Sequence, residues 1–337
     1  MKSFLRCECL DTAMRMRHGD FVHLPYPDAR GLAASGHVRI VDPEYVATRE
    51  EVDVDYLFRS GWSPRRLTRT AWVQCFDKTG GAEISNFNAV RVGTKLGFDV
   101  IGVQLGGSGL NMKAIESCDV VILNNLHGSE QERRQIFDYL ESSGKPYVKY
   151  DHDCYEEFLG VFQKSALNVF LSPMHQKFYE DRCGQEIAAH SVALPLCFDV
   201  SYWKKEGKHE PGTVLIVAFG KCQDNAAKFI EENPGLRYFV AGGLCPAGAN
   251  VVRLDSVDYL KMPDIYSQFE TVHHCPCGPC AGERVLFESV LSGCKVITNA
   301  NAGHSSWSFD WRDPVKLRAI LSRAPYQFWA LVDGVLR

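Results

Sequence analysis

From Thr70 onward the chain alternates short runs of β-branched and aromatic residues with longer amphipathic stretches, punctuated by Gly, Pro, Asn and Asp. Continuous apolar runs predict buried strands over 71–76, 99–103, 119–123, 146–150 and 166–172. The 3.6-residue periodicity predicts helices over 84–96, 130–142 and 173–182, with glycine loops at 77–83 and 106–109. A second series opens near Thr213, with strands over 214–219, 237–241, 251–254 and 294–298 and helices over 225–233, 263–269 and 283–292. Strands alternating with helices call for parallel sheets covered on both faces. The reading is therefore α/β, as two Rossmann-like domains facing a cleft: a first domain over 70–205 and a second over 210–305, with Leu194–Asp199 as the crossing point. Two amphipathic helices, 313–324 and 326–336, fill the tail 306–337. Residues 1–55 read as a small β-rich N-terminal appendage, with strands over 19–25 and 37–41 around a short helix at 27–36.

Length and composition fit this plan. A chain of 337 residues is too long for one ordinary core, and 45% apolar with 23% charged residues is the composition of a soluble globular protein. No apolar run has transmembrane length, and charge falls where a signal peptide needs an apolar segment, so no membrane insertion and a cytoplasmic location are expected. Thirteen scattered cysteines suit free thiols in a reducing compartment better than a disulfide framework. A net charge of −4 excludes a generic nucleic-acid coat but not a local basic patch. Arg59, Arg65, Arg66 and Arg69, interleaved with Trp62 and Trp72, could hold a DNA backbone, or could be a solvated connector.

The stretch 273–304 reads as loop, helix, strand, loop. Gly282 lets a ligand approach the backbone, and the first-turn amides of the helix beginning near Glu283 form an anion site. Cys275, Cys277 and Cys280 with His273 and His274 invite a zinc reading, but lack paired Cys-x-x-Cys knuckles unless Cys7 and Cys9 contribute; the alternative is a rigid loop of free thiols, and no metal is expected. The glycines at 80–81, 106–109 and 242–243 lack Gly-x-Gly-x-x-Gly spacing, which disfavours a dinucleotide-dependent dehydrogenase. His152, between Asp151 and Asp153, suits proton handling or sugar binding as well as a charged surface loop. Glu288 lies one turn after Arg284, compatible with an ordinary ion pair.

Several anchors, in order over 72–307, resemble the GT-B glycosyltransferases, most of all the retaining family of sucrose synthase and bacterial phosphatidylinositol mannosyltransferases. They are Gly80-Gly81-Ala82-Glu83, His152, Ser172, Gly220-Lys221, and the run from Leu286 to Ile297. The resemblance implies a nucleoside-diphosphate sugar as donor and no separate cofactor. Gly80 and Gly81 would lie beside the donor diphosphate. Gly220 would belong to the donor-binding loop, Lys221 would offset the diphosphate charge with Lys228 as a second lysine, Gly282 and Arg284 would belong to the helix-terminal anion site, and Glu288 would bind the nucleotide ribose. His152 would contact the transferred sugar or help align the acceptor. The first acid of the family's paired motif is replaced here by Cys280, with Glu283 as a nearby substitute. The expected activity is hexosyl or pentosyl transfer, with retention, to a modified base of viral DNA, a glycan or a small molecule. A sugar-nucleotide epimerase and a catalytically degenerate binding module are the alternatives.

Overall fold

The computed structural model describes residues 4–9, 21–25, 38–42, 68–75, 81–106, 109–125, 128–156, 158–203, 208–217, 219–241, 246, 248–254 and 259–336. Near the N-terminus, β1 (Phe4–Cys9), β2 (Phe21–Pro25) and β3 (Val38–Asp42) form an antiparallel sheet of order β2-β1-β3. The helix expected at 27–36 lies outside the described residues, as do Gly80, Arg59, Arg65 and Arg66.

The first large sheet contains β4 (Arg69–Gln74), β5 (Asp99–Gln104), β6 (Val120–Leu123), β7 (Tyr147–Tyr150), β8 (Leu167–Phe170) and β9 (Ser191–Ala193), all parallel, in the order β5-β4-β6-β7-β8-β9. Its helices are α1 (Gly81–Leu96), α2 (Met112–Ser117), α3 (Glu130–Ser143), α4 (Gly160–Lys164) and α5 (Pro173–Cys183). Their ends follow local chemistry. Ser129 and Glu132 close a capping box at the start of α3, and Ser172 caps α5 with Pro173 behind it.

The second sheet contains β10 (Glu210–Val217), β11 (Arg237–Ala241), β12 (Val251–Leu254), β13 (Phe269–His273) and β14 (Lys295–Ile297), also parallel, in the order β12-β11-β10-β13-β14. Its helices are α6 (Phe219–Glu232), α7 (Met262–Tyr266) and α8 (Arg284–Leu291). The α6 helix starts well before the expected residue 225, because Cys222, Ala226, Phe229 and Ile230 recur at helical spacing and pack together against β10 and β11.

The tail differs from expectation. One helix, α9 (Pro314–Val335), replaces the expected pair and runs straight through Pro325. A proline inside a helix costs about 3 kcal/mol, but here it sits between Ala324, Phe328 and Trp329, all buried in the largest apolar cluster. That cluster joins Trp72 of the first sheet, Leu215 of the second, Phe287 of α8 and Trp329 of α9, so the last helix returns to cover the first domain. Trp329 packs against Phe98 with ring centroids 4.4 Å apart and donates from its indole nitrogen to the Ala89 carbonyl at 2.7 Å.

The α1–α9 crossing depends on Gly93, where a Cβ would lie 2.2 Å from the Trp329 ring. Gly93→Ala is expected to lower stability by about 1–3 kcal/mol through overpacking, despite the better helix propensity of alanine. The denaturation midpoint measures this, and Trp329→Phe in the same chain should recover part of the loss.

Candidate active site

Open parallel sheets bind ligands beyond the carboxyl ends of their strands, where the strand order reverses. In the second sheet that point lies between β10 and β13, and the two strands deliver Lys221 and the 274–283 loop respectively. Gly220 and Lys221 occupy the first turn of α6 rather than a loop. The Lys221 Nζ lies 3.1 Å from Glu283 Oε1, and Glu283 also stands 3.6 Å from the buried Nε2 of His274. Burial alone would lower the Lys221 pKa, but the Glu283 carboxylate more than compensates and holds it above the usual lysine value. Cys222 and Cys280 adjoin this group. Burial, reinforced by Glu283, pushes the Cys222 thiol up to about 12 and raises that of Cys280 further.

Glu283 is the N-cap residue of α8 but makes no side-chain capping bond, so its carboxylate is committed to Lys221 instead. The loop leading to it is fixed by backbone pairing of Cys280 with Asn301 and Gly303, at 2.9 Å each. At Gly282 a Cβ would come within 2.9 Å of both Leu171 and His304, so this glycine permits close approach of the two domains. Ser172, at the end of β8, bridges them with a 2.6 Å bond from its hydroxyl to the Ala281 carbonyl.

The first domain contributes the loop after β7. Asn125, at the end of β6, accepts the His152 amide at 3.0 Å and donates to Asp153 at 2.6 Å. Beneath it, Lys149 is buried against Asp151 at 2.6 Å, and His175 pairs with the same carboxylate at 3.3 Å. His175 accepts the Leu171 amide at Nδ1, which leaves its Nε2 proton to bond the Asp153 carbonyl at 3.0 Å. His152 is buried against Tyr150, its Nε2 has no partner among the described residues, and burial depresses its pKa to about 3. It is a neutral imidazole at physiological pH. Cys154 follows in the loop, its thiol pushed up to about 12 by burial with Asp151 and Asp153 adding to the effect.

Arg284 joins the domains. Its Nε pairs with Glu288 at 3.0 Å, its Nη1 donates to Ser85 of α1 at 2.7 Å, and its Nη2 donates to the Tyr259 hydroxyl. The guanidinium lies over the rings of Phe198 and Tyr259, and Gly81 lies against its aliphatic stem. Sequence reading did not single out Ser85, Tyr259 or Tyr266, which come from separate elements without a local motif.

The structure therefore assembles Lys221, Glu283 and Gly282 on one side of the cleft and brings Arg284, Glu288 and Gly81 together beside them. Lys228 is not in this group; it is exposed, and pairs with Glu232 at 3.7 Å. Arg69 pairs with Asp99 at 3.1 Å. Among the described residues every cysteine is a free thiol, no three His, Cys, Asp or Glu side chains could share a metal ion, and no helix is long and apolar enough to cross a membrane.

Neither a protein-family model nor a curated protein sequence matches this chain. Solved structures do. Sucrose-phosphate synthase from Thermosynechococcus elongatus is similar with a TM-score of 0.57 at 11% identity, over 80% of this chain and 96% of that one. HepE from Anabaena, in complex with UDP and glucose, gives 0.55 at 11% identity, over 80% and 97%. An α-glucosyltransferase in complex with UDP and a 13-mer DNA containing an A:G mismatch gives 0.51 at 12%, over 80% and 93%. At such identities the likeness is one of architecture: two Rossmann-like domains in the GT-B fold.

His304, buried and stacked on Phe287 at 3.6 Å, has its pKa lowered by burial from 6.5 to about 3, as does His152. The folded chain binds fewer protons there than the unfolded chain, so these groups favour folding fully above pH 6.5, and the advantage fades as pH falls toward 3. Thermal denaturation followed from pH 7 to pH 4 should show the midpoint dropping, with a shallower drop in His304→Gln.

Proposed function

We propose that this protein transfers a sugar from a nucleoside-diphosphate sugar to an acceptor held against its first domain. The observation that carries this reading is the Lys221–Glu283 pair, set at the strand-order reversal of the second sheet and beside the start of α8. Breaking the bond from the anomeric carbon to the phosphate develops positive charge on the sugar and negative charge on the departing diphosphate. The Lys221 ammonium and the amides at the start of α8 stabilise that leaving group. In this reading Glu283, in contact with Lys221, substitutes for the family's first acid, whose position is Cys280 here. His152 is neutral, and its buried Nε2, without a partner among the described residues, is the atom this reading assigns to a sugar hydroxyl, which it would meet without adding charge.

Retention of anomeric configuration follows from the retaining family that the sequence resembles. The acceptor we favour is a modified DNA base, with a glycan as the other candidate. The Arg59–Arg69 segment and the fold shared with an α-glucosyltransferase solved with DNA support the nucleic-acid choice.

Purified protein incubated with a panel of nucleotide sugars and no acceptor is expected to release nucleoside diphosphate slowly. Lys221→Ala should reduce that release by about a hundredfold or more. Turnover near the wild-type rate in this variant would remove Lys221 from the leaving-group role.

A further inference from the structure

The resemblance assigns the nucleotide ribose to Glu288, yet both oxygens of this carboxylate are already engaged. Oε1 accepts from Arg284 Nε at 3.0 Å and from the Tyr259 hydroxyl at 3.2 Å, and Oε2 accepts from the Tyr266 hydroxyl at 3.1 Å. The residue is only 4% exposed. A ribose diol would have to displace buried partners to reach it, leaving a buried guanidinium or phenol without its acceptor, which is costly.

Arg284 is in the opposite condition. A guanidinium carries one N–H on Nε and two on each terminal nitrogen. One from each nitrogen is used, on Glu288, Ser85 and Tyr259, which leaves one N–H on Nη1 and one on Nη2 without a partner among the described residues. Arg284 also lines a cavity of about 200 Å³ between the domains, with Ile84, Asn88, Asp199, Tyr202, Trp203 and Tyr259 as its other walls. Ile84 and Asn88 belong to the first domain, Tyr259 to the second, and Asp199, Tyr202 and Trp203 to the end of the crossing segment and the residues just after it, so an occupant would touch both domains and the chain that joins them.

We propose that Arg284, rather than Glu288, meets the donor, binding a phosphate oxygen through its two remaining terminal N–H groups, and that Glu288 is a positioning residue that holds this guanidinium. The inference rests on the transferase reading above and narrows its substrate class. A site that holds the diphosphate through Lys221 and Arg284, without a carboxylate reading the ribose diol, accepts 2′-deoxynucleoside diphosphates as well as ribonucleoside diphosphates. Glu288 orients the planar fork and compensates its buried charge. Tyr259 and Tyr266 in turn fix Glu288, and Ser85 transmits the position of the guanidinium to α1.

Calorimetric titration separates the possibilities. The uridine, adenosine, guanosine and cytidine diphosphates are titrated first, followed by the 2′,3′-dideoxy form of whichever binds, and inorganic pyrophosphate. The wild-type protein is expected to bind the dideoxy form within about twofold of the ribonucleotide. Glu288→Gln should weaken both nucleotides, and pyrophosphate with them, by a common factor of about tenfold to a hundredfold, the worth of a charge-assisted phosphate contact. Pyrophosphate has no ribose, so its loss of affinity cannot come from a ribose contact. A dideoxy form that binds the wild-type protein tenfold or more weakly, with that penalty abolished in Glu288→Gln, would assign the diol to Glu288 and overturn this inference while leaving the transferase reading intact. Failure of all four diphosphates to bind the wild-type protein would overturn both. The ribose comparison uses the unaltered chain and so does not depend on how well any variant folds.

Discussion

The fold depends on the return of α9 to the first domain. Each parallel sheet needs both faces covered, and the first sheet completes its cover with a helix that the chain reaches only after finishing the second. Trp72, Phe98, Phe328 and Trp329 therefore belong to the same apolar cluster as Leu215 and Phe287. Each half keeps a smaller cluster of its own, and this largest one is shared by both. The approach of the two halves around the candidate site is set by that shared packing, together with the Ser172–Ala281 and Arg284–Ser85 hydrogen bonds that cross between them. Pro325 shows how strongly that packing prevails, since it sits inside a continuous helix.

On this frame the polar groups of the cleft are held by partners from elsewhere in the chain. Asn125 from the end of β6 anchors the His152 loop, Ser172 from the end of β8 anchors the loop before α8, and Ser85 from α1 meets Arg284. The electrostatics divide accordingly. The second domain presents a lysine kept protonated by its carboxylate neighbour, while the first presents an imidazole kept neutral by burial. On the reading proposed above, a cation in one domain and a neutral hydrogen-bonding group in the other suit a reaction in which an anion departs from a sugar.

Much of this was legible in the sequence because strands buried on both faces read as uninterrupted apolar runs, and the helices between them carry clear caps such as Ser129 with Glu132. The start of α6 was not, since the apolar run of β10 continues through Ala218 and Phe219 without punctuation, so that periodicity first declares itself further on. The tail was misdivided because proline is a local signal and its tolerance here is a tertiary effect. In the candidate site, Lys221, Glu283 and Arg284 were visible as residues just beyond strands or at a helix start. Tyr259, Tyr266 and Ser85 were not, because a tyrosine or serine carries no pattern of its own and acquires a role only when folding places Arg284 and Glu288 against it.

The thiols around the cleft have a further consequence. Cys154 and Cys222 are held as protonated thiols at neutral pH, and a thiol reacts with alkylating reagents far more slowly than a thiolate. The two are silenced by different burial: Cys222 packs with Val214, Ile216 and Ala226 inside the second domain, whereas Cys154 lies against the apolar cluster that both domains share. Alkylation of Cys154 therefore reports loss of the shared packing, and alkylation of Cys222 reports unfolding within the second domain, so the chain carries two separate chemical reporters without any added label.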